Sequence, residues 1–351
     1  MMKQVSPQTG DVMPLVSVVI PTCNRRAVLE RCLEALANQT YSNYEVIVVD
    51  DGSSDDTPQF LVRFVAEHPD VQVRCLRNEP NSGANPSRNR GIRESKGVLV
   101  AFEDDDCIAQ PDWLERLVCA FSSNKVAAVV GLVISPKPTN IFELALKGTQ
   151  RVPGPGPANR LVGCNMCVRR THLIEFFLDE DRATQARNPN GSVDMRVSGR
   201  GDEEGLYLML CAAGYEIQTV PDAIVLHEHY YTGRSMFRQA LRGGRSAARL
   251  VYKFYLPTRL DLLPFILSYS TMPLIFVYQW LVIIPAFFFA AALAAITYND
   301  LYRKGKTISE TIRSFHVLLA YYHVRLFGYV MEALRLRMLK NNISRLRLQS
   351  A

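Results

Sequence analysis

Four consecutive carboxylates, Glu103-Asp104-Asp105-Asp106, follow directly on the apolar run Val98 to Phe102. Like charges crowded at the end of a buried strand repel one another, so a cation bound among them is the economical explanation. Aspartates offer hard oxygen ligands, which suit Mg2+ or Mn2+ held jointly with substrate phosphates. A second acidic cluster, Asp202-Glu203-Glu204, lies far downstream, and polar residues also gather at Pro21-Thr22-Cys23-Asn24-Arg25 and Asp50-Asp51-Gly52-Ser53. Serine and histidine spacing supports no nucleophilic triad.

The elements that must present these groups alternate in type. Val16 to Ile20, Tyr44 to Val49, Val71 to Leu76 and Val98 to Phe102 are β-branched or apolar runs of strand length. Between them, Ala27 to Gln39, Asp56 to Glu67 and Ala84 to Glu94 carry helical spacing. Strand and helix in alternation, with strands that are apolar throughout, imply an α/β fold whose parallel sheet is covered on both faces. Such sheets bind ligands outside the carboxyl ends of their strands, where three of the polar clusters fall.

The runs Val16-Ser-Val-Val-Ile-Pro-Thr-Cys-Asn-Arg25, Gln39 to Asp55, Asn81-Ser-Gly-Ala-Asn-Pro-Ser-Arg-Asn-Arg-Gly91 and Phe102-Glu-Asp-Asp-Asp106 together resemble the inverting glycosyltransferases of family 2, with the GT-A fold. The resemblance covers about Leu15 to His229. It implies a Rossmann-like, mostly parallel sheet flanked by helices and a nucleotide-diphosphate sugar as donor. Pro21 and Asp51 match positions that hold the nucleobase, with Thr22, Asn24 and Arg25 near the same pocket. Arg88 and Asn89 would open a donor-rich helix face close to the diphosphate. Asp104 to Asp106 looks like the Asp-x-Asp motif, with Asp104 toward ribose or metal, Asp105 in the donor site and Asp106 toward the metal. Val220 to His227 resembles the strand that delivers a metal-site histidine, and neutral imidazole is a competent ligand for Mn2+. His229 is the weaker candidate.

Gly201-Asp-Glu-Glu-Gly-Leu through Gly214-Tyr215 resembles the acidic motif that carries the family's catalytic Asp. Counting back from Gly214-Tyr215 puts that position at Glu203, with Asp202 in the preceding slot. Either Glu203 is the base with a shifted backbone, or Asp202 takes the role; Glu203 is preferred. In an inverting displacement the acceptor hydroxyl attacks opposite the leaving nucleoside diphosphate while a carboxylate removes its proton.

The chain of 351 residues is 48% hydrophobic, which excludes a disordered or fibrous protein. Its net charge of +6 hides a division: residues 1–233 hold 23 basic and 30 acidic side chains, and residues 234–351 hold 17 and 4. Eight scattered cysteines, with no basic-then-apolar leader pattern, point to a reduced, cytoplasmic setting. Cys164 and Cys167 form a CxxC without a second pair at zinc spacing, and their flanks look like strand, so zinc is not expected there. Leu262 to Thr297 has no charged side chain, contains Pro273 and Pro285, and is flanked by basic residues at Lys253, Arg259, Arg303, Lys304 and Lys306. A re-entrant or hairpin membrane element with both ends on the cytoplasmic face fits that pattern.

Six cations from Arg234 to Lys253 recur every three or four residues, and a basic amphipathic helical tail closes the chain. Lipid headgroups, a lipid diphosphate acceptor or the donor diphosphate are the anions expected beside the stripe, and anionic lipid beside the tail. The expected organisation is an extension (1–13), a catalytic GT-A domain (14–233), a basic linker helix (234–260), an apolar membrane segment (261–298) and the basic tail (299–351). The stretches 152–159 and 179–201 read as acceptor-side lids. Nucleic acid is not expected as a partner, because the basic residues interleave with an apolar segment rather than base-stacking loops. A homo-oligomer is compatible with the sequence. The competing readings are a nucleotide-sugar-binding scaffold without turnover and a GT-A-like nucleotidyltransferase; the latter lacks a Gly-rich, Lys-containing phosphate loop.

Overall fold

The computed structural model describes residues 13–146, 155–178, 202–228, 230–254, 262–273, 282–304 and 306–349. The chain divides into two compact units, one made of 1–133, 154–180 and 206–227, the other of 134–153, 181–205 and 228–351.

In the first unit the expected alternation is present: β1 (Val16–Thr22), α1 (Arg26–Ala37), β2 (Tyr44–Asp50), α2 (Thr57–Glu67), β3 (Val73–Arg77), α3 (Ala84–Glu94) and β4 (Leu99–Phe102). The first four strands pair in parallel in the order β3-β2-β1-β4. The strands are apolar on both faces because both are covered. Val18 and Ile20 pack with Leu29 and Leu33 of α1 and Phe60 of α2, whereas Val19 and Ile47 pack with Ile92 of α3 on the other side. At Gly91 α3 comes so close to β1 that a Cβ would stand 2.3 Å from Val19 Cγ1, so only glycine fits.

The sheet and its helices continue through β5 (Cys107–Ala109), α4 (Trp113–Cys119), β6 (Val126–Ile134), β7 (Gly156–Pro157), β8 (Met166–Arg169), α6 (Arg170–Phe176), α7 (Asp202–Ala212) and β9 (Glu216–His227); α5 (Ile141–Leu146) and the start of α7, 202–205, belong to the second unit. Here the pairing turns antiparallel: β4 with β8, β8 with β6, β5 and β7 with β9. The sheet is therefore mixed, parallel on the side that carries the first polar clusters. Asn165 fastens the antiparallel part. Its fully buried amide donates to the Leu132 and Ala223 carbonyls at 2.9 and 3.0 Å and accepts from Trp113 Nε1 at 2.8 Å. Every bond of that amide replaces a desolvated group that would otherwise go unpaired, at about 1–3 kcal/mol each.

The second unit is helical: α5, α8 (Gly233–Phe254), α9 (Leu263–Thr271), α10 (Ile283–Tyr298) with a wider turn at Asn299–Arg303, and α11 (Ile308–Gln349). The helical tail is a single helix over its described residues. α8 and α11 cross closely through Gly244 and Gly328, where added Cβ atoms would lie 1.9 Å from the Arg325 carbonyl oxygen and 2.4 Å from that of Leu241. The arginine stripe on α8 does not all face outward. Arg249 is buried and its Nε donates to Glu332 Oε1 at 2.7 Å. Lys306 is likewise buried, its Nζ 2.6 Å from Asp300 Oδ2, and Lys304 reaches Asp300 at 3.0 Å. These three cations answer acids of the same chain, because burying a lone charge costs far more than pairing it; for Arg249 this departs from the external anion expected beside the stripe.

Among its described residues the uncharged segment holds helices α9 and α10, joined by a hydrogen bond from Ser268 to the Pro285 carbonyl at 2.9 Å. Ile283–Tyr302 is long and apolar enough to cross a membrane, with mean hydropathy 1.4, and 22% of it is buried. Ile283, Phe287, Tyr298 and Tyr302 are exposed along it.

Candidate active site

The ends of β1, β2 and β4 bring the polar clusters into register as parallel neighbours. Thr22 stands opposite Asp50, and Val19 opposite Phe102, so the loops after all three strands leave the sheet on one edge. Asn24 knits the first two loops. It adopts φ 54°, a left-handed conformation that asparagine tolerates. Its Oδ1 accepts from Ser54 N at 2.7 Å and Asp55 N at 3.2 Å, while its own N–H donates to Ser53 Oγ at 2.8 Å.

Asp51 is buried and holds the loop after β3. Its Oδ1 accepts from Asn78 Nδ2 (2.8 Å), Ser82 N (2.7 Å) and Ser82 Oγ (3.0 Å), and its Oδ2 from Gly83 N (2.7 Å). Oδ2, with one bond, keeps acceptor capacity for a further donor. Beside it Asp50 is paired with Arg77, its cross-strand neighbour on β3. The pairing of Asn78 with Asp51 carries no local sequence signal, since it depends on a loop that returns only once β3 has formed.

The acidic run is divided by direction. Glu103 is wholly buried, and burial first, then Asp104, holds its carboxyl well above the usual range. Asp105 is also buried. Its Oδ2 accepts from Thr22 Oγ1 at 2.7 Å and its Oδ1 from Arg25 Nη1 at 2.8 Å. Burial nonetheless raises its pKa to about 7, with Arg25 and Thr22 opposing. Arg25 bridges two aspartates, its other Nη donating to Asp106 Oδ2 at 2.7 Å. Although burial works against its charge, Asp105 and Asp106 keep its pKa above the ordinary value. Arg88, from α3, pairs with Asp104. Thr22 and Arg25 thus touch the motif itself, where the sequence had suggested only a shared pocket.

Asp104, Asp106 and His227 each bring one ligand atom to a common place, all within 4.8 Å of one another. His227 Nε2 lies 3.0 Å from Asp106 Oδ1. Two carboxylates and an imidazole are a donor set that suits Mn2+, and their separation fits closure around one ion. Asn89 differs from expectation: it is fully buried, its amide bonded both ways to the Leu178 backbone at 2.7 and 3.0 Å. It therefore braces α3 rather than presenting a donor.

Asp202, Glu203 and Glu204 open α7, with Glu203 half-buried. Both candidate bases thus sit in the first turn of one helix, where the positive end of the helix dipole favours carboxylates. Pro21 is the sixth residue of β1, half-buried and opposite Val49 of β2. The expected lid 179–201 and His229 lie outside the described residues, and of the stretch 152–159 the described part forms β7, paired with β9 at Gly156 and Pro157.

The sequence profile "Glycosyl transferase family 2" matches residues 17–170, which run from β1 to the start of α6. The chain carries a glycosyl transferase family 2 domain. Within that domain lie the three strand-end clusters and the Asp104–Asp106 motif, while His227 and α7 lie beyond it. Similar proteins include "Glycosyltransferase AglE" of Haloferax volcanii, 39% identical over 34% of this chain and 40% of that protein. Another is the "GalNAc(5)-diNAcBac-PP-undecaprenol beta-1,3-glucosyltransferase" of Campylobacter jejuni, 37% identical over 27% of this chain and 30% of that one. The chain therefore spans less than half the length of these relatives. In fold it is similar to the mannosyltransferase PcManGT of Pyrobaculum calidifontis, solved with GDP-Man and Mn2+, at a TM-score of 0.58 and 18% identity over 91% of this chain and 88% of that one. The family 2 domain accordingly has the GT-A fold.

Proposed function

We propose that this protein is an inverting glycosyltransferase that moves a sugar from a nucleotide-diphosphate sugar to a hydroxyl of a lipid-linked or membrane-associated acceptor. The observation that carries the reading is the convergence of Asp104, Asp106 and His227 within 4.8 Å beside a family 2 sheet edge. These three residues would hold a divalent cation, Mn2+ or Mg2+, which supplies Lewis-acid neutralisation of the charge developing on the departing diphosphate.

The remaining roles fall to the chain's own groups. Asp51 Oδ2 accepts from the nucleobase in a pocket walled by Pro21 and knitted by Asn24. Thr22 and Arg25 orient Asp105 and, through Arg25, Asp106. Arg88 supplies positive charge beside the diphosphate. Glu203, or Asp202 in the preceding slot, takes the acceptor hydroxyl's proton. Residues 14–233 form the catalytic part in this reading, facing the cytoplasm, with 234–260 as linker, 261–298 at the membrane and 299–351 as tail.

Support for the acceptor comes from the undecaprenol named for the Campylobacter relative and from the exposed apolar surface of α10. Cations that remain exposed, such as Arg234 and Arg238, would each contribute about 1 kcal/mol near anionic headgroups.

A thermal-shift screen of the purified chain with UDP-, GDP- and dTDP-sugars plus Mn2+ tests the donor site. One nucleotide class should raise the melting temperature by several degrees; a flat response to all three would sink the reading. On fractionation, the full-length chain should sediment with membranes and resist high-salt extraction. A wholly soluble chain would refute the membrane acceptor.

A further inference from the structure

Beside the aspartate centre lies a second group of ligand atoms with different chemistry. Cys107, Cys164 and His227 also bring one ligand atom each to within 4.8 Å of one another. The register explains the meeting: Cys107 on β5 stands directly opposite His227 on β9. Cys164 is delivered by the residue next to it, because Asn165 is locked to β6, β9 and Trp113 by its three hydrogen bonds. Cys107 and Cys164 are both buried and both free thiols, and His227 is 20% exposed, so one edge of the group opens to solvent. The CxxC partner Cys167 takes no part; it is a central β8 residue packed in the core.

We propose that Cys107, Cys164 and His227 form a site for a thiophilic divalent cation such as Zn2+ or Cd2+, and that its occupancy withdraws His227 from the Asp104–Asp106 centre. Two sulfurs and an imidazole select borderline-soft ions, whereas the carboxylate set selects harder ones. Tetrahedral zinc bonds of about 2.3 Å to sulfur and about 2.0 Å to nitrogen place neighbouring ligands roughly 3.5–3.8 Å apart. Ligand atoms within 4.8 Å of one another need closure of roughly 1.3 Å or less. As the metal–sulfur bonds form, each thiol loses its proton to solvent. The fourth position remains open to water. One histidine serves both sets, so the two ions exclude each other; this second part rests on the proposed hard-metal centre, while the thiolate site stands without it.

The test uses the full chain kept reduced with a phosphine and titrated with Cd2+ alone. A thiolate-to-cadmium ultraviolet absorption band should appear and saturate at one ion per chain. It should be lost in Cys107→Ser and in Cys164→Ser, and survive in Cys119→Ser, whose thiol is exposed and remote in sequence. Cys164→Ala, with an unchanged circular dichroism spectrum, guards against a folding defect. No band in the wild-type chain, or an unchanged band in Cys164→Ser, overturns the site. In a second arm, electron paramagnetic resonance of free Mn2+ follows a chain preloaded with that ion. Equimolar Cd2+ should release Mn2+ from the wild-type chain but not from Cys164→Ser, and joint retention of both ions would overturn the exclusion. A chain that never binds Mn2+ but shows the band would reject the hard-metal centre and keep the thiolate site.

Discussion

Replacing Asp106 with Asn should lower glycosyl transfer by about 10³-fold, because loss of several kcal/mol of charge stabilisation at the leaving diphosphate translates into that factor. Asp106 meets both His227 and Arg25, at 3.0 and 2.7 Å. Asparagine keeps the shape and one acceptor oxygen but removes the charge. The expected signature is therefore lost Mn2+ binding with little change in melting temperature. Steady-state release of nucleoside diphosphate, measured with and without Mn2+, reads the effect. An Asp106→Asn chain that still responds to Mn2+ with near-normal turnover would remove this residue from the centre.

The second large effect separates the two candidate bases. Glu203→Gln should lower kcat by about 10²–10⁴-fold, the contribution typical of a positioned general base, while leaving donor KM close to its original value. Asp202→Asn should cost far less if Glu203 is the base. A reversed order assigns the role to Asp202, and two mild variants would mean that neither carboxylate removes the proton. Because both residues sit in the first turn of α7, either substitution also removes a favourable helix-end charge, worth about 0.3–1 kcal/mol. That loss moves stability rather than kcat, so melting curves on the same samples keep the two effects apart.

The parallel half of the fold was legible because its signals are local. Apolar strands, turn residues and helical spacing placed α3 at Ala84 to Glu94, as observed. The antiparallel half was legible only in part, in the strand ending at His227 and the strand-like flanks of Cys164 and Cys167, for β5 and β8 are three and four residues long and depend on pairing with distant strands. Burial of polar residues misled in one place. Asn85, Ser87 and Asn89 are all buried on α3, although polar residues give no apolar periodicity to announce it. Each kind of partner differs: Ser87 donates to the Gly83 carbonyl at 2.8 Å, and Asn89 clasps Leu178. The aspartate motif and His227 were read from the sequence, yet the arginine clamp on it was not. Nothing in Arg25's neighbourhood along the chain announces that β1 and β4 lie side by side, which is what carries its guanidinium to Asp105 and Asp106. The pairing of the flanking Lys306 was likewise not announced, its partner Asp300 being buried with it.

Arg25 across Asp105 and Asp106, and Arg88 on Asp104, mean that each aspartate of the acidic turn already has a cationic partner before any ion arrives. Many small metalloproteins unfold when their ion is removed, because binding and folding draw on the same free energy. In this chain the two should separate: Arg25 and Arg88 already pair with the three aspartates, so the ion is expected to be a visitor and not a keystone. Exhaustive dialysis against a chelator should abolish turnover and leave the melting temperature of the ligand-free chain within about a degree or two, a shift worth under ~1 kcal/mol for a domain of this size. Collapse of the fold under chelation would show that the arginines do not suffice. At Asp106 the guanidinium of Arg25 holds Oδ2 while Oδ1 faces His227, so an ion can take one oxygen of that carboxylate and leave the clamp in place.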